Sequence, residues 1–148
     1  MFISNGQFRI YMSYVSELMT KNVVIMDVNK SALEAASLMM EKNISTLVLT
    51  KNNEPVGMVT ERDFLRRICA KNLKASEIKL EQIMSSPLIT IEPTVPIEMA
   101  AATMEEKRIR RLVVVQNRKM LGILTGTDLI KNLQQAWNRK LDYLLEPF

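Results

Sequence analysis

The chain has 148 residues, 47% hydrophobic and 24% charged, which suits one ordinary globular domain or two very small ones. It holds one cysteine and no histidine, which excludes an intrachain disulfide, a structural zinc site and any His-dependent hydrolase mechanism. A net charge of +4 is too mild for a nucleic-acid-binding tail, and no apolar run nears the ~20 residues of a membrane span.

The first segment, MFISNGQFRIYMSYV, lacks the basic start and unbroken apolar core of a signal peptide, so a cytoplasmic protein with no membrane attachment is expected. Residues 1–14 read as an N-terminal extension containing Phe2, Ile3, Phe8 and Ile10. The short β-branched stretch Val23–Met26 predicts a strand. A helix follows over Ser31–Lys42, started by Ser31, with Leu33, Ala36, Met40 and then Ile44 at helical spacing. Two apolar runs, Leu47–Leu49 and Val56–Val59, flank the polar turn KNNEP and predict a hairpin. GMVTERD, residues 57–63, then opens a helix expected over Glu61–Lys71, with Cys69 inside it as a small packing residue. The segment Ile68–Lys79 reads as a helix end running into a loop, with residues 72–79 as the linker proper.

The same order then recurs. Leu88–Ile91 predicts a strand, and Pro96–Lys107 a helix whose first turn suits Pro96. Leu112–Val115 and Leu121–Leu124 flank the turn QNRKM, and GILTGTD, residues 122–128, leads into a helix from Thr127 onward. In the tail, residues 132–148, an apolar stripe runs from Leu129 through Leu133, Ala136 or Trp137, Leu141 and Leu144. The stripe outruns a small core and is expected to cover Phe2, Ile3, Phe8 and Ile10 or to join two subunits. Met19, Met39, Met40, Met84, Met99 and Met104 all occupy apolar positions and read as flexible core filling.

The chain is one unit written twice. At a fixed offset of 65 residues, Glu17–Arg66 aligns without a gap against Gln82–Lys131, with thirteen identical pairs. Ala35/Ala100, Met39/Met104, Gly57/Gly122, Thr60/Thr125 and Asp63/Asp128 are among them. Residues 15–71 and 80–131 are therefore two copies of a β-α-β-β-α unit. A unit this small leaves an apolar sheet face uncovered. The expected fold is α+β, with two pseudo-twofold-related units packed sheet to sheet and an extended C-terminal helix.

The Thr–Asp pair in each motif has two readings. Thr-x-x-Asp at the start of a helix is a capping box, and an acid in the first turn suits the helix dipole. The same carboxylate could accept bonds from the adjacent 2′ and 3′ hydroxyls of a ribose, while free helix N–H groups and the Thr hydroxyl meet a phosphate. The two roles are compatible.

GMVTERD and GILTGTD, with LMTKNVV and IMSSPLI opening the copies and LEAASLM and EMAAATM in the helices, give a chain that resembles a tandem pair of CBS domains, the Bateman module. The likeness covers about residues 15–131. Val48 and Val113 stand where many such domains have proline, a change of packing. The resemblance implies a regulatory module that binds AMP, ADP, ATP or S-adenosylmethionine in clefts between the copies, acts on an unknown regulated protein, and forms a homodimer.

By the same resemblance, one site draws on Met58, Thr60, Arg62 and Asp63, on Pro87, Leu88 and Ile89 against the base, and on Ile109, Arg110 and Arg111 near the phosphates. The other draws on Ile123, Thr125, Thr127 and Asp128, on Asn22, Val23 and Val24, and on Ile44, Ser45 and Thr46. Arg110 and Arg111 occupy the place of Ser45 and Thr46, so the first site should favour phosphorylated ligands. Arg108 reads instead as a cation at a helix C-terminus.

The rival reading is nucleic-acid binding through a basic helix face at Arg67, Lys71 and Lys74. No helix-turn-helix, zinc finger or RNA-binding aromatic motif accompanies it, and an aromatic fraction of 5% offers few stacking platforms. No spaced nucleophile and base suggest an enzyme, and no metal ligands or catalytic cofactor are expected.

Overall fold

The computed structural model describes residues 13–145 and is mixed α+β, with two three-stranded sheets. Phe2, Ile3, Phe8 and Ile10 of the N-terminal extension lie outside the described residues. The elements in chain order are α1 (Val15–Leu18), β1 (Ile25–Asp27), α2 (Ala32–Lys42), β2 (Thr46–Lys51), β3 (Glu54–Thr60) and α3 (Glu61–Arg67). After three short 3-10 turns come β4 (Thr90–Ile91), α4 (Ile97–Lys107), β5 (Arg111–Gln116), β6 (Lys119–Thr125) and α5 (Gly126–Leu145).

Local chemistry explains these elements. Ser31 caps α2: its hydroxyl accepts from Glu34 N at 3.1 Å, and Glu34 Oε2 accepts from Ser31 N at 2.8 Å. Glu34's carboxyl is held below its ordinary pKa of 4.5, chiefly by that backbone bond, then by the Ser31 hydroxyl, with Lys30 adding a smaller effect. α2 and α4 both end on a left-handed residue, Asn43 (φ 51°) and Arg108 (φ 54°). The hairpins turn on two residues each, Asn52–Asn53 (φ 53° and 63°) and Asn117–Arg118 (φ 51° and 64°). Two successive positive φ values make a type I′ turn, whose twist matches the strands it joins.

The chain forms two compact units. The N unit comprises Asn22–Ile89, with Arg118–Met120 grouped to it; the C unit comprises, of the described residues, 13–21, 90–117 and 121–145. In the N unit β1 pairs parallel with β2, with Ile25 opposite Val48, and β2 pairs antiparallel with β3, with Thr46 opposite Thr60. A parallel pair needs a crossover, and α2 is that crossover. Val28, Ala32, Ala35, Met39, Leu47, Leu49, Val59, Ile68, Leu80 and Ile83 form its core. Truncating a leucine such as Leu47 or Leu49, both fully buried, to alanine costs about 2–5 kcal/mol in such a setting. In the C unit the sheet order is β4-β5-β6, and the buried residues include Val15, Ala100, Met104, Leu112, Val114 and Leu124.

Repeat and unit are different divisions of the chain. Leu80–Ile89, which opens the second repeat, folds into the N unit. There Leu80 N donates to Lys30 O at 3.0 Å, and Glu81 N to Val28 O at 3.1 Å. Conversely, Ser13–Lys21, opening the first repeat, belongs to the C unit, where Val15 N donates to Val95 O at 2.9 Å. Each unit thus completes its sheet edge with the opening segment of the other repeat.

Several expectations are corrected. α2 buries Ala32, Ala35 and Met39, whereas Leu33 is 50% and Met40 82% exposed. Both sets have helical spacing, and the alanines let the helix approach the sheet closely. Met104 is buried but Met99 is 60% exposed, so the methionines are not uniformly core. α3 ends at Arg67, not Lys71, because the chain turns at Ile68 (φ −121°, ψ −65°) and buries that side chain. Cys69 then falls in a 3-10 turn and is exposed. α5 does carry the expected stripe, but Leu133, Trp137 and Leu144 are 70%, 58% and 61% exposed.

Candidate functional site

Each unit presents the same construction at a strand-to-helix junction. In the N unit, β3 runs into α3 through Thr60, which stands at the N-cap in extended backbone. Thr60 N donates to Asp63 Oδ2 at 2.8 Å, and the Thr60 hydroxyl donates to the same oxygen at 3.1 Å. In the C unit, Thr125 N donates to Asp128 Oδ2 at 2.8 Å, and Asp128 N donates to the Thr125 hydroxyl at 3.2 Å. The capping role of both aspartates is therefore real. It uses one carboxylate oxygen in each case. Asp63 Oδ1 stands 3.8 Å from Arg67 Nε, with the Asp63 side chain 13% exposed.

The two glycines explain how the junctions are approached. A Cβ on Gly57 would lie 2.5 Å from Met84 Sδ and 3.1 Å from Ser85 O. One on Gly122 would lie 2.5 Å from Thr20 O and 3.1 Å from Met19 Sδ. Without side chains at these positions, the opening segments lie directly against β3 and β6. Ser85 exchanges two hydrogen bonds with Met58, at 2.9 and 3.1 Å, and Thr20 exchanges two with Ile123, at 2.8 and 3.0 Å.

The expected site residues divide between the units. Met58, Thr60, Arg62, Asp63, Pro87, Leu88 and Ile89 all belong to the N unit, as do Asn22, Val23, Val24, Ile44, Ser45 and Thr46. Ile109, Arg110, Arg111, Ile123, Thr125, Thr127 and Asp128 belong to the C unit. Inside the N unit the structure brings Ser45 and Thr46 to the Thr60 junction: Glu61 N donates to Ser45 O at 3.1 Å. Inside the C unit it brings Arg110 to the Thr125 junction, where Gly126 N donates to Arg110 O at 2.9 Å. Thr46, opposite Thr60, has a buried hydroxyl without a hydrogen-bond partner. Such a group ordinarily finds one.

The basic helix face does not exist as read. Arg67 is the last residue of α3, while Lys71 and Lys74 lie beyond it, Lys71 in a 3-10 turn and Lys74 just before the next one. Arg67 Nη1 donates to Ile83 O at 2.6 Å and to Met84 O at 3.0 Å, so its guanidinium is engaged inside the N unit. Sequence reasoning missed this role. The available signal was its position four residues after Asp63, one turn along the same helix face. Among the described residues no cluster of three or more acidic or cysteine side chains could hold a metal ion, and no helix is long and apolar enough to cross a membrane.

Comparison with known proteins gives these features a family. The model of the CBS domain matches twice, at residues 15–70 and 80–135. The uncharacterized protein MJ1404 of Methanocaldococcus jannaschii is 37% identical over 130 residues, covering 79% of this chain but 31% of that protein. Another relative, MK0525 of Methanopyrus kandleri, is covered to 61%, so the chain spans about a third to three fifths of these relatives. The CBS domain-containing protein YhcV of Bacillus subtilis is 31% identical, with 82% of this chain and 86% of that protein aligned. Among solved structures, the CBS domain pair of MJ0100, in complex with methylthioadenosine and S-adenosylmethionine, superposes with a TM-score of 0.76 at 26% identity, covering 85% of this chain and 99% of that one. With two model matches spanning most of its length and a fold shared with solved pairs, this chain belongs to the CBS-domain family, as a tandem pair.

Proposed function

We propose that the chain is a sensor for an adenosine-containing ligand, AMP, ADP, ATP or S-adenosylmethionine, and that occupancy modulates a partner protein. The observation that carries this reading is the split use of the motif carboxylates. Capping consumes Oδ2 of Asp63 and of Asp128 and leaves Oδ1 of each able to accept from a ribose hydroxyl. At the helix starts Glu61 N, Gly126 N and Asp128 N already donate to Ser45 O, Arg110 O and the Thr125 hydroxyl, so phosphate recognition rests on arginine side chains rather than on those N–H groups. The unpartnered Thr46 hydroxyl beside Thr60 supports a polar occupant there. Complexes of the MJ0100 pair with two adenosyl compounds support the ligand class.

The two sets of residues are unequal. Ser45 and Thr46 stand at one junction where Arg110 and Arg111 stand at the other. Guanidinium groups bind phosphate with several donors, so Arg110 and Arg111 select phosphorylated ligands. By the resemblance, Pro87, Leu88 and Ile89 meet a base, and Ile109 accompanies Arg110 and Arg111 at the phosphates.

Calorimetric titration tests the reading. Asp63→Ala and Asp128→Ala should each weaken one class of AMP site by roughly tenfold, as loss of a charge-assisted bond implies. Replacing Arg110 and Arg111 by alanine should weaken AMP more than adenosine. Unchanged AMP affinity in folded Asp63→Ala and Asp128→Ala variants would remove the ribose role.

A further inference from the structure

The two repeats keep the same scaffold, but one tie is present only in the first. In both units the opening segment is held by a residue that exchanges two hydrogen bonds with the strand, Ser85 with Met58 and Thr20 with Ile123. In both, a methionine sits against the motif glycine. Arg67 adds a third tie in the N unit alone. Its guanidinium donates to the carbonyls of Ile83 and Met84 while its Nε stands 3.8 Å from Asp63 Oδ1. The equivalent residue of the second repeat is Asn132, too short and uncharged for either contact. Because the C unit forms its junction without this tie, the tie is not a requirement of the fold.

Its position suggests what it does. Asp63 Oδ1 is the oxygen left over from capping, and Ile83 and Met84 begin the run that reaches Pro87, Leu88 and Ile89. The chain passes from the N unit into the C unit immediately after Ile89. One guanidinium therefore touches both the Asp63 carboxylate and the start of the segment 83–89, which leads into the C unit. A change in the charge surroundings of Asp63 is felt by Arg67, and through its two carbonyl bonds by that segment.

We propose that Arg67 is a positioning residue that couples ligand capture at Asp63 to the segment 83–89, making the N-unit junction the reporting site of the pair. This rests on the adenosyl-ligand reading above. A ribose hydroxyl donating to Asp63 Oδ1 competes for the charge that Arg67 shares with it, and the guanidinium then settles more fully on the Ile83 and Met84 carbonyls. The segment 83–89 tightens when ligand is bound. Asn132 transmits nothing comparable, so occupancy at the Thr125 junction leaves Leu18 and Met19, the counterparts of Ile83 and Met84, unaffected.

The test combines calorimetry with hydrogen–deuterium exchange on the full chain, using AMP, in the wild type, Arg67→Gln, Arg67→Lys and Asn132→Ala. In the wild type, saturating AMP should slow exchange across both 60–63 and 83–89. In Arg67→Gln, affinity should fall by roughly three- to tenfold, the range for a charge-assisted contact acting at one remove. At saturation its protection should persist at 60–63 but disappear at 83–89. Arg67→Lys, which keeps the charge and guards against misfolding of the glutamine variant, should recover part of both effects, and Asn132→Ala should match the wild type. Ligand-dependent protection at 83–89 that survives in Arg67→Gln at saturation would overturn the coupling, as would a loss of the same size in Asn132→Ala. Failure of the wild type to bind AMP, ADP, ATP or S-adenosylmethionine at all would instead overturn the sensor reading itself.

Discussion

At Gly57 and Gly122 the same letter of the repeat meets different neighbours. The nearest atom to a Cβ on Gly57 is a methionine sulfur, the far end of a flexible side chain, whereas on Gly122 it is a backbone carbonyl oxygen, both at 2.5 Å. Met84 can rotate away from an added methyl; the carbonyl of Thr20 is fixed by the bonds that Thr20 exchanges with Ile123. Gly57→Ala should therefore cost about 1 kcal/mol and Gly122→Ala about 3 kcal/mol, the two ends of the usual range for overpacking. Denaturant unfolding of the two variants checks the order, and equal costs would contradict the geometry. The aspartates teach a related lesson at this scale. The cap engages one carboxylate oxygen of Asp63 and of Asp128 and leaves the other outside it, which only atomic placement could show.

At the scale of the element, α2 shows how much of a helix is set locally. Ser31 and Glu34 form a reciprocal cap legible in the sequence, and Ser31→Ala should destabilise the protein by about 1 kcal/mol in thermal unfolding. The cap is also pH dependent. Because the folded protein lowers the Glu34 pKa below 4.5, the carboxylate's stabilisation is present above that value and is lost as pH falls through the lowered one. Glu34→Gln should therefore be less stable than the wild type at neutral pH, and the difference should vanish once the carboxyl is protonated; a gap that persists with Glu34 fully protonated would argue against the assigned cause. The buried face of α2 was not legible in the same way. Ala32, Ala35 and Met39 have as good a helical spacing as Leu33, Ala36 and Met40, and the choice was made by the sheet beneath. α3 was overextended for a similar reason: the burial of Ile68 ended it, and helical spacing contains no signal for that.

At the scale of the molecule, the apolar residues that the fold leaves outside become the main question. Leu33 and Met40 on α2, Leu65 on α3, Met99 on α4, and Ile130, Leu133, Trp137 and Leu144 on α5 are at least half exposed. The α5 residues form one stripe on a helix of 20 residues, and we propose that it joins two copies in a homodimer. Sedimentation should give a dimer at micromolar concentration. The double substitution Leu133→Glu, Trp137→Glu should give a folded monomer, since neither side chain contributes to the core of its own unit; an unchanged mass would exclude this stripe as the interface.

The repeat, the element order, the place of each hairpin and the family were legible in the sequence alone, because these rest on local preferences and on spacing that a doubled chain displays twice. It also supplied the Thr–Asp pairs as candidates. The exchange of opening segments was decided by tertiary structure alone: Ser85 pairs with Met58 of β3 in the first repeat, and Thr20 with Ile123 of β6 in the second. The reason is physical. Hydrogen-bonding capacity along a strand edge is the same for every segment, so which segment fills it depends on where the chain arrives in space. The role of Arg67 was hidden for that reason too, since the carbonyls it holds belong to a segment sixteen residues away that the repeat assigns to the other copy.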